Sequence, residues 1–271
     1  MGLFGGSKNP EDLIYKAISL LEQRQPKPAI SLFKKVLKND PKNVIALYNQ
    51  GLAFNQIKKY QDAITCFDKV LEINPNDAPS YNNRAIAMAE TGNIDDAIDH
   101  YDKAINVDPK YAAAYYNKGV LLDRLLKHDE ALEYLEKAIK IEPKKANPRF
   151  YKGIVLGKMR KHELALNCFE NVCRMNRNHL DALFHVGIEL AQLDKHEKAV
   201  QIFDKVLEKF GANVNVIYAK SRSKAALNQI DESFSLLREA TKRSKIIKSW
   251  ARDEKIFEKF FDNPEFEKIV K

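Results

Sequence analysis

The 271 residues are 45% apolar and 30% charged, and Lys plus Arg exceed Asp plus Glu by 45 to 37, a formal charge of +8 that permits an acidic partner without demanding one. No uninterrupted apolar stretch approaches the ~20 residues that cross a bilayer, and the opening Met1-Gly2-Leu3-Phe4-Gly5-Gly6-Ser7-Lys8 lacks the apolar segment of a secretory signal. A cytoplasmic protein without a membrane anchor is expected. Cys66, Cys168 and Cys173 form an odd set with no C-x-x-C pair, which argues against a disulfide framework and against a tetrahedral zinc site.

A period of 34 residues organises the chain: Ala29-Ile30, Ala63-Ile64, Ala97-Ile98, Ala131-Leu132, Ala165-Leu166 and Ala199-Val200 stand in step. Residues 1–9 read as a flexible tail, in which Gly2 would suit acylation only if a serine stood where Gly6 does. Units then follow at 10–43, 44–77, 78–111 and 112–145, closed by Pro41, Pro75, Pro109 and Pro143, each of which ends one helix and admits the next. Gly51 and Gly119 sit twelve residues before the recurring alanine, as Gly153 and Gly187 do in the units at 146–179 and 180–213. Small residues at that spacing mark a helix crossing. Arg177 and Gly211 replace the closing proline, and the unit at 214–247 drifts further, with Ser221 for the glycine, Lys224 for the aromatic and Ser233 for the alanine. Residues 248–271 carry an apolar stripe of Trp250, Ile256, Phe257, Phe260 and Phe261, then Asp262-Asn263-Pro264-Glu265 as a helix stop and new cap, then Phe266 and Val270. They are expected to cover the last unit with capping helices, because a stacked repeat buries its apolar face only against a neighbour.

The second unit shows the pattern best, with Leu47, Gly51 and Phe54 on its first helix, then Tyr60, Ala63, Phe67, Val70 and Pro75. On these residues the chain resembles the tetratricopeptide-repeat family. The resemblance implies an all-α fold, a right-handed α-solenoid of seven helix-turn-helix repeats with a closing helical segment. It also implies a non-enzymatic scaffold or adaptor that holds a peptide or partner segment in a concave groove. The closing segment is similar to D-x-x-F…D-P-x-F ends of some prokaryotic arrays, which favours a prokaryotic source.

By the same resemblance, positions 2, 5, 6, 9, 12 and 13 of each unit face the groove. Position 5 reads Ile14, Tyr48, Asn82, Tyr116, Phe150, Phe184 and Tyr218, a run rich in aromatic rings that combine contact area with few rotors. Position 6 reads Asn49, Asn83 and Asn117, followed by Tyr151 and His185. A carboxamide offers a donor and an acceptor together, so such a ladder could pair with both the N–H and the C=O of an extended peptide. The third unit holds three basic and six acidic residues and the fifth seven and two. In the groove this predicts Glu90 on one side and Arg124, Lys158 and Arg222 on the other, with Asp123 between, a gradient that would orient an acidic-to-apolar peptide. Gly157 is expected to open room beside Lys158.

Family members that hold the carboxylate tail of a heat-shock chaperone place Lys at position 5 and Asn at position 9 of the unit before the ladder asparagine. Here those places read Ile14 and Ile18, Tyr48 and Leu52, or Asn82 and Ile86, so that partner is disfavoured. His128, His162 and His196 recur at intervals of 34 and belong to different units, too far apart to converge on a metal at ~2.0–2.3 Å; they read as packing residues. No phosphate loop, H-E-x-x-H or nucleophile elbow is present, and no cofactor is expected. Single-stranded nucleic acid is the alternative ligand, given a pI of about 9.1 and aromatics beside basic residues. The acidic third and sixth units interrupt that basic excess. Self-association is a further alternative, although a monomer is expected.

Overall fold

The structure, a computed structural model, describes residues 9–271. Of the tail expected at 1–9 only Asn9 is described, and the acylation position at Gly2 lies outside the described residues. The chain divides into two compact units, Met1–Glu142 and Pro143–Lys271. Among the described residues both are all-helical, without a strand.

The first unit contains α1 (Pro10–Glu22), α2 (Pro26–Asn39), α3 (Val44–Gln56), α4 (Tyr60–Ile73), α5 (Ala78–Glu90), α6 (Ile94–Val107), α7 (Ala112–Arg124) and α8 (His128–Ile141). Each helix packs on the next, and α1, α3, α5 and α7 also touch in succession. The result is a stack of antiparallel pairs, an α-solenoid with the odd-numbered helices side by side along one wall.

Local chemistry sets this geometry. The even-numbered helices are amphipathic: in α4 the buried residues Ala63, Ile64, Phe67 and Val70 recur at helical spacing. Asn9, Asn43 and Asp77 cap α1, α3 and α5 with side-chain oxygens that accept backbone amides. Arg24, Lys58, Gly92 and Leu126 then close the odd-numbered helices in the left-handed region, with φ of 58°, 59°, 87° and 62°. A single residue of positive φ at the same place in each pair turns the chain back on itself. Only Gly92 adopts it without a steric cost.

The second unit contains α9 (Ala146–Lys158), α10 (His162–Met175), α11 (Leu180–Gln192), α12 (His196–Phe210), α13 (Val214–Ala226) and α14 (Ile230–Arg243), closed by α15 (Ile246–Asp253), a 3₁₀ turn (Lys255–Phe260) and α16 (Pro264–Val270). Arg160, Asp194 and Asn228 supply the positive-φ turns. The glycines at the crossings admit aromatic rings: a Cβ on Gly153 would lie 2.8 Å from the ring of Phe169, as one on Gly51 would lie 2.7 Å from Phe67 in the first unit. The drift of the last pair is compensated by hydrogen bonds. Ser233 Oγ donates to the Ser221 carbonyl at 2.9 Å and Ser221 Oγ to the Tyr218 carbonyl at 2.8 Å, so both buried hydroxyls are satisfied.

The C-terminal stripe folds onto α13 and α14, burying Ile247, Phe257, Phe260, Phe266 and Val270 in one core with Phe234 and Leu237. Asn263 caps α16 with Pro264 at its first position. Two residues of the stripe differ from expectation: Trp250 and Phe261 remain 43% exposed, because Trp250 leans on Tyr218 and Phe261 stacks on the outer side of Phe266.

Candidate functional site

In the first unit α3, α5 and α7 carry Tyr48, Asn49, Asn82, Asn83, Tyr116, Asn117 and Arg124. The asparagines are tied into the wall. Asn83 Nδ2 donates to Tyr48 Oη at 3.0 Å and to the Pro79 carbonyl at 2.8 Å, Asn49 Nδ2 donates to the Ile45 carbonyl at 2.8 Å, and Asn117 Nδ2 donates to Asn82 Oδ1 at 2.8 Å. The carboxamides therefore do not all offer both functions to a ligand. Both protons of Asn83 are used, whereas the Oδ1 atoms of Asn49, Asn83 and Asn117 are left as acceptors. Asn82 departs from expectation altogether: only 3% exposed, it is the support of Asn117 rather than a surface residue.

Tyr48 rests edge-on against Phe67, at 5.9 Å between centroids. Burial, with Asp77 adding to it, raises its phenol above the usual range, so it stays neutral while accepting from Asn83. Burial raises Tyr116 likewise. Two shallow pockets open on this wall: one of about 240 Å³ beside Ile45, Tyr48, Asn49, Asp77 and Pro79, and one of about 150 Å³ beside Glu90, Tyr101, Asn117, Val120 and Arg124. Glu90 and Arg124, expected on opposite sides of a charge gradient, pair with each other at 2.6 Å. Asp123 is buried and accepts from His128 Nδ1 at 3.0 Å.

In the second unit α9, α11 and α13 carry Phe150, Tyr151, Lys158, Phe184, His185, Tyr218 and Arg222. His185 lies flat on Phe169, 4.9 Å between centroids and 17° between planes, with Phe150 and Phe184 edge-on at 5.6 Å each. Burial in this aromatic cage holds its imidazole below the usual range, against a smaller opposing effect of Asp181. Tyr151 is half-buried and Lys158 exposed. The room expected beside Gly157 is taken: a Cβ there would lie 2.9 Å from Glu189 Oε1. Glu189 is itself buried and accepts from His162 Nδ1 at 2.8 Å. Of the recurrent histidines, expected as packing residues, His128 and His162 each engage a buried carboxylate, whereas His196 Nε2 lies 3.7 Å from the exposed Asp194.

Tyr218, expected on the groove surface, is only 6% exposed, because Trp250 and Phe257 close over it at 5.9 and 6.3 Å. Arg222 lies over the Tyr218 ring at 5.9 Å and pairs with Glu254 at 3.0 Å. Phe184, Asn215, Tyr218, Arg222, Trp250 and Glu254 line a pocket of about 320 Å³. On two of these residues the Tyr218 hydroxyl and Arg222 Nε are buried without a hydrogen-bond partner. Burial raises the Tyr218 phenol, and Glu254 and Asp253 push it the same way, against the opposing effect of Arg222. Trp250 and Glu254 were not among the expected site residues. Their signal was an offset of 32 rather than 34: Glu254 follows Arg222 by 32 residues and Trp250 follows Tyr218 by the same interval. In that register α15 stands as the first helix of a further, incomplete pair.

The reactive groups elsewhere are held in the fold. Burial raises the Cys66 thiol to about 11, with Asp62 adding to it and Lys69 opposing, and its Sγ lies 3.5 Å from Gln50 Oε1. Among the described residues no three His, Cys, Asp or Glu side chains converge as a metal site, and no helix is long and apolar enough to cross a membrane.

Paired helices in register, positive-φ turns at fixed places and a wall of first helices define an all-α repeat scaffold. The chain belongs to the tetratricopeptide-repeat family: models of the tetratricopeptide repeat match residues 13–43, 44–77, 77–144 and 152–214. It is similar in structure to YrrB, described as a TPR protein with an unusual peptide-binding site, at 25% identity and a TM-score of 0.58 over 69% of this chain and 98% of that one. A tetratricopeptide repeat protein from Parabacteroides merdae aligns at 18% identity and a TM-score of 0.63 over 90% of this chain and 97% of that one. PilF of Pseudomonas aeruginosa aligns at 22% and 0.67 over 78% and 97%. The last two likenesses concern the fold alone. No curated protein matches the sequence. Such arrays are, as a class, scaffolds for protein–protein interaction and typically not enzymes.

Proposed function

We propose that the chain binds a peptide segment of a partner protein along the first helices of its second unit, with an apolar side chain of that segment anchored in the pocket between α11, α13 and α15. The observation that carries this is the pair of buried, unpartnered donors, Tyr218 Oη and Arg222 Nε, in a pocket walled by Phe184 and Trp250. A buried donor without an acceptor costs about 1–3 kcal/mol, a cost that a backbone carbonyl entering the pocket removes. The Arg222–Glu254 pair leaves the pocket without net charge, so an uncharged apolar residue suits it better than a carboxylate. In the first unit the Oδ1 atoms of Asn49, Asn83 and Asn117 present acceptors suited to peptide N–H groups. The peptide-binding site named for YrrB, 25% identical, supports the same general use.

Single-stranded nucleic acid fits the ring-bearing faces less well. Arg124 and Arg222, two basic groups on these faces, are each held by a carboxylate. Trp250 is the only tryptophan in the sequence, so its emission reports on the anchor pocket directly. Peptides selected on the full chain from a random phage library are to be titrated while Trp250 emission is followed. A saturable shift is expected, weakened about tenfold by Arg222→Ala, which removes about one to two kcal/mol of hydrogen bonding. Selection of no peptide, or tight peptides indifferent to this change, would overturn the proposal.

A further inference from the structure

A second cleft, which shares no lining residue with the ring-bearing pocket of its unit, opens between α14, α15 and α16, with a volume of about 870 Å³. We propose that it binds an acidic segment of a partner protein, through carboxylates of neighbouring Asp or Glu side chains. Arg238, Lys242, Lys245, Lys248 and Lys268 converge on it, against one acidic residue, Glu265, which is already paired with Arg238. Residues 238–248 contain five basic side chains and one acidic, and that acid, Glu239, pairs with Arg243 at 3.0 Å. Lys242, Lys245, Lys248 and Lys268 have no carboxylate within ion-pair distance among the described residues. Cations at the end of a helix complement its carbonyls, but one terminus accounts for one or two charges, not for four ammonium groups drawn from three elements. Like charges at this spacing repel, and an anion lying between them removes the repulsion.

The backbone around the cleft selects the kind of anion. A compact phosphate is held by several free amides at a helix N-terminus, and here two of those amides are occupied at the start of α15 and two at the start of α16. Ile247 N donates to the Ser244 carbonyl at 3.2 Å and Lys248 N to the Lys245 carbonyl at 3.1 Å at the start of α15. Asn263 Oδ1 accepts from Glu265 N and Phe266 N at the start of α16. From α14 the cleft meets the last turn, with its partial negative charge. The one arginine is engaged by Glu265, so no guanidinium fork is free for a bidentate grip. What remains is a set of flexible ammonium groups spread over a long cleft, with Pro264, Ile269 and lysine methylenes as an apolar floor. Dispersed carboxylates on a chain that also carries apolar side chains match that arrangement in charge and in polarity.

The test uses the full chain and a fluorescein-labelled peptide of alternating Glu and Leu, followed by anisotropy. Binding that weakens with salt is expected. It should fall about tenfold or more in the variant Lys242→Gln, Lys245→Gln, Lys248→Gln and be kept by Lys34→Gln, Lys35→Gln, Lys38→Gln, which removes the same charge from exposed positions of α2. Trp250 emission, beside the core of α13 to α16, verifies that the variants are folded. Equal loss in both variants would reduce the effect to net charge and overturn the site. So would undiminished binding of the peptide with Gln in place of Glu. Tighter, lysine-dependent binding of tripolyphosphate or of oligo(dT) would assign the cleft to phosphate and overturn the choice of a carboxylate ligand. Because Trp250 and Arg222 do not line this cleft, failure here and failure of the anchor pocket are distinguishable.

Discussion

Glu189 occupies the space that the missing side chain of Gly157 leaves: a Cβ on Gly157 would lie 2.9 Å from Glu189 Oε1 while Oε2 accepts from His162 Nδ1 at 2.8 Å. Gly157→Ala should gain about 1 kcal/mol of helix propensity and lose more, because moving a buried carboxylate off its partner costs about 1.5–3 kcal/mol. A net loss of about 1 kcal/mol is expected in chemical denaturation. In a Glu189→Ala background the same change should stabilise by about 1 kcal/mol, and an additive double-mutant cycle would refute the coupling.

The other crossing glycines face apolar side chains, mostly rings, rather than a carboxylate. A Cβ on Gly153 meets Phe169 at 2.8 Å and one on Gly187 runs into Phe203, both rings fully buried. Gly119 faces Leu135 at 3.0 Å, a side chain with more freedom to shift. Overpacking costs about 1–3 kcal/mol, so Gly153→Ala and Gly187→Ala should lower the denaturation midpoint more than Gly119→Ala does. Equal midpoints would show that the rings give way.

Gly92 and Leu126 hold the same left-handed place at the ends of α5 and α7, with φ of 87° and 62°, and nothing lies within 4 Å of a Cβ on Gly92. Their substitutions therefore isolate backbone strain. Gly92→Ala should cost about 1 kcal/mol, and Leu126→Gly should stabilise by about 0.5 kcal/mol after the added entropy of an unfolded glycine. Leu126 is 78% exposed, so little packing is lost. Thermal midpoints moving in the same direction for both changes would contradict this.

Two histidines give the fold a dependence on pH. Burial lowers His185 and His100 below the ordinary value of 6.5; for His100 the Asp96 carbonyl opposes this, and Arg84 and Lys103 reinforce it. The partners fix the neutral form of His100. Nδ1 donates to the Asp96 carbonyl at 2.8 Å, so Nε2 is the acceptor that faces Arg84 Nη1. Protonation would turn that acceptor into a donor aimed at a guanidinium. A histidine whose folded value is depressed contributes stability that is present above about 6.5 and is lost as pH falls from there through the folded value. Urea midpoints should therefore drop between neutral and mildly acidic pH, and His185→Phe should flatten the drop seen through Trp250 emission. An unchanged slope would exclude His185 as a source.

Phe257 is fully buried between Tyr218 and Phe266. Phe257→Ala should cost about 3–5 kcal/mol and shift Trp250 emission to the red as the tail loosens from α13. Retention of the native spectrum would mean that the tail adheres without its central ring.

Helices, turns and the small-residue crossings were legible in the sequence because they depend on neighbours at fixed separation. The 34-residue step, the closing prolines and the cap at Asn263-Pro264 each state a local constraint, and the helices follow them. The family followed from the same pattern. What the sequence could not decide was which groove residues are spent on the fold. Asn82 and Tyr218 share a repeat position with half-buried rings yet lie fully inside, and Glu90, Arg124 and Arg222 look like free charges yet meet carboxylate or guanidinium partners one repeat away. Gly157 reads as an opening until Glu189, on another helix, fills it. Such outcomes depend on side chains brought together from different repeats, whose distance along the chain carries no record of contact. The place of Trp250 and Glu254 turned on a two-residue shift of the last register, and the lysine-rich cleft exists only where α14, α15 and α16 meet. Local periodicity determined the helices; long-range packing decided which of their faces remain open to a partner.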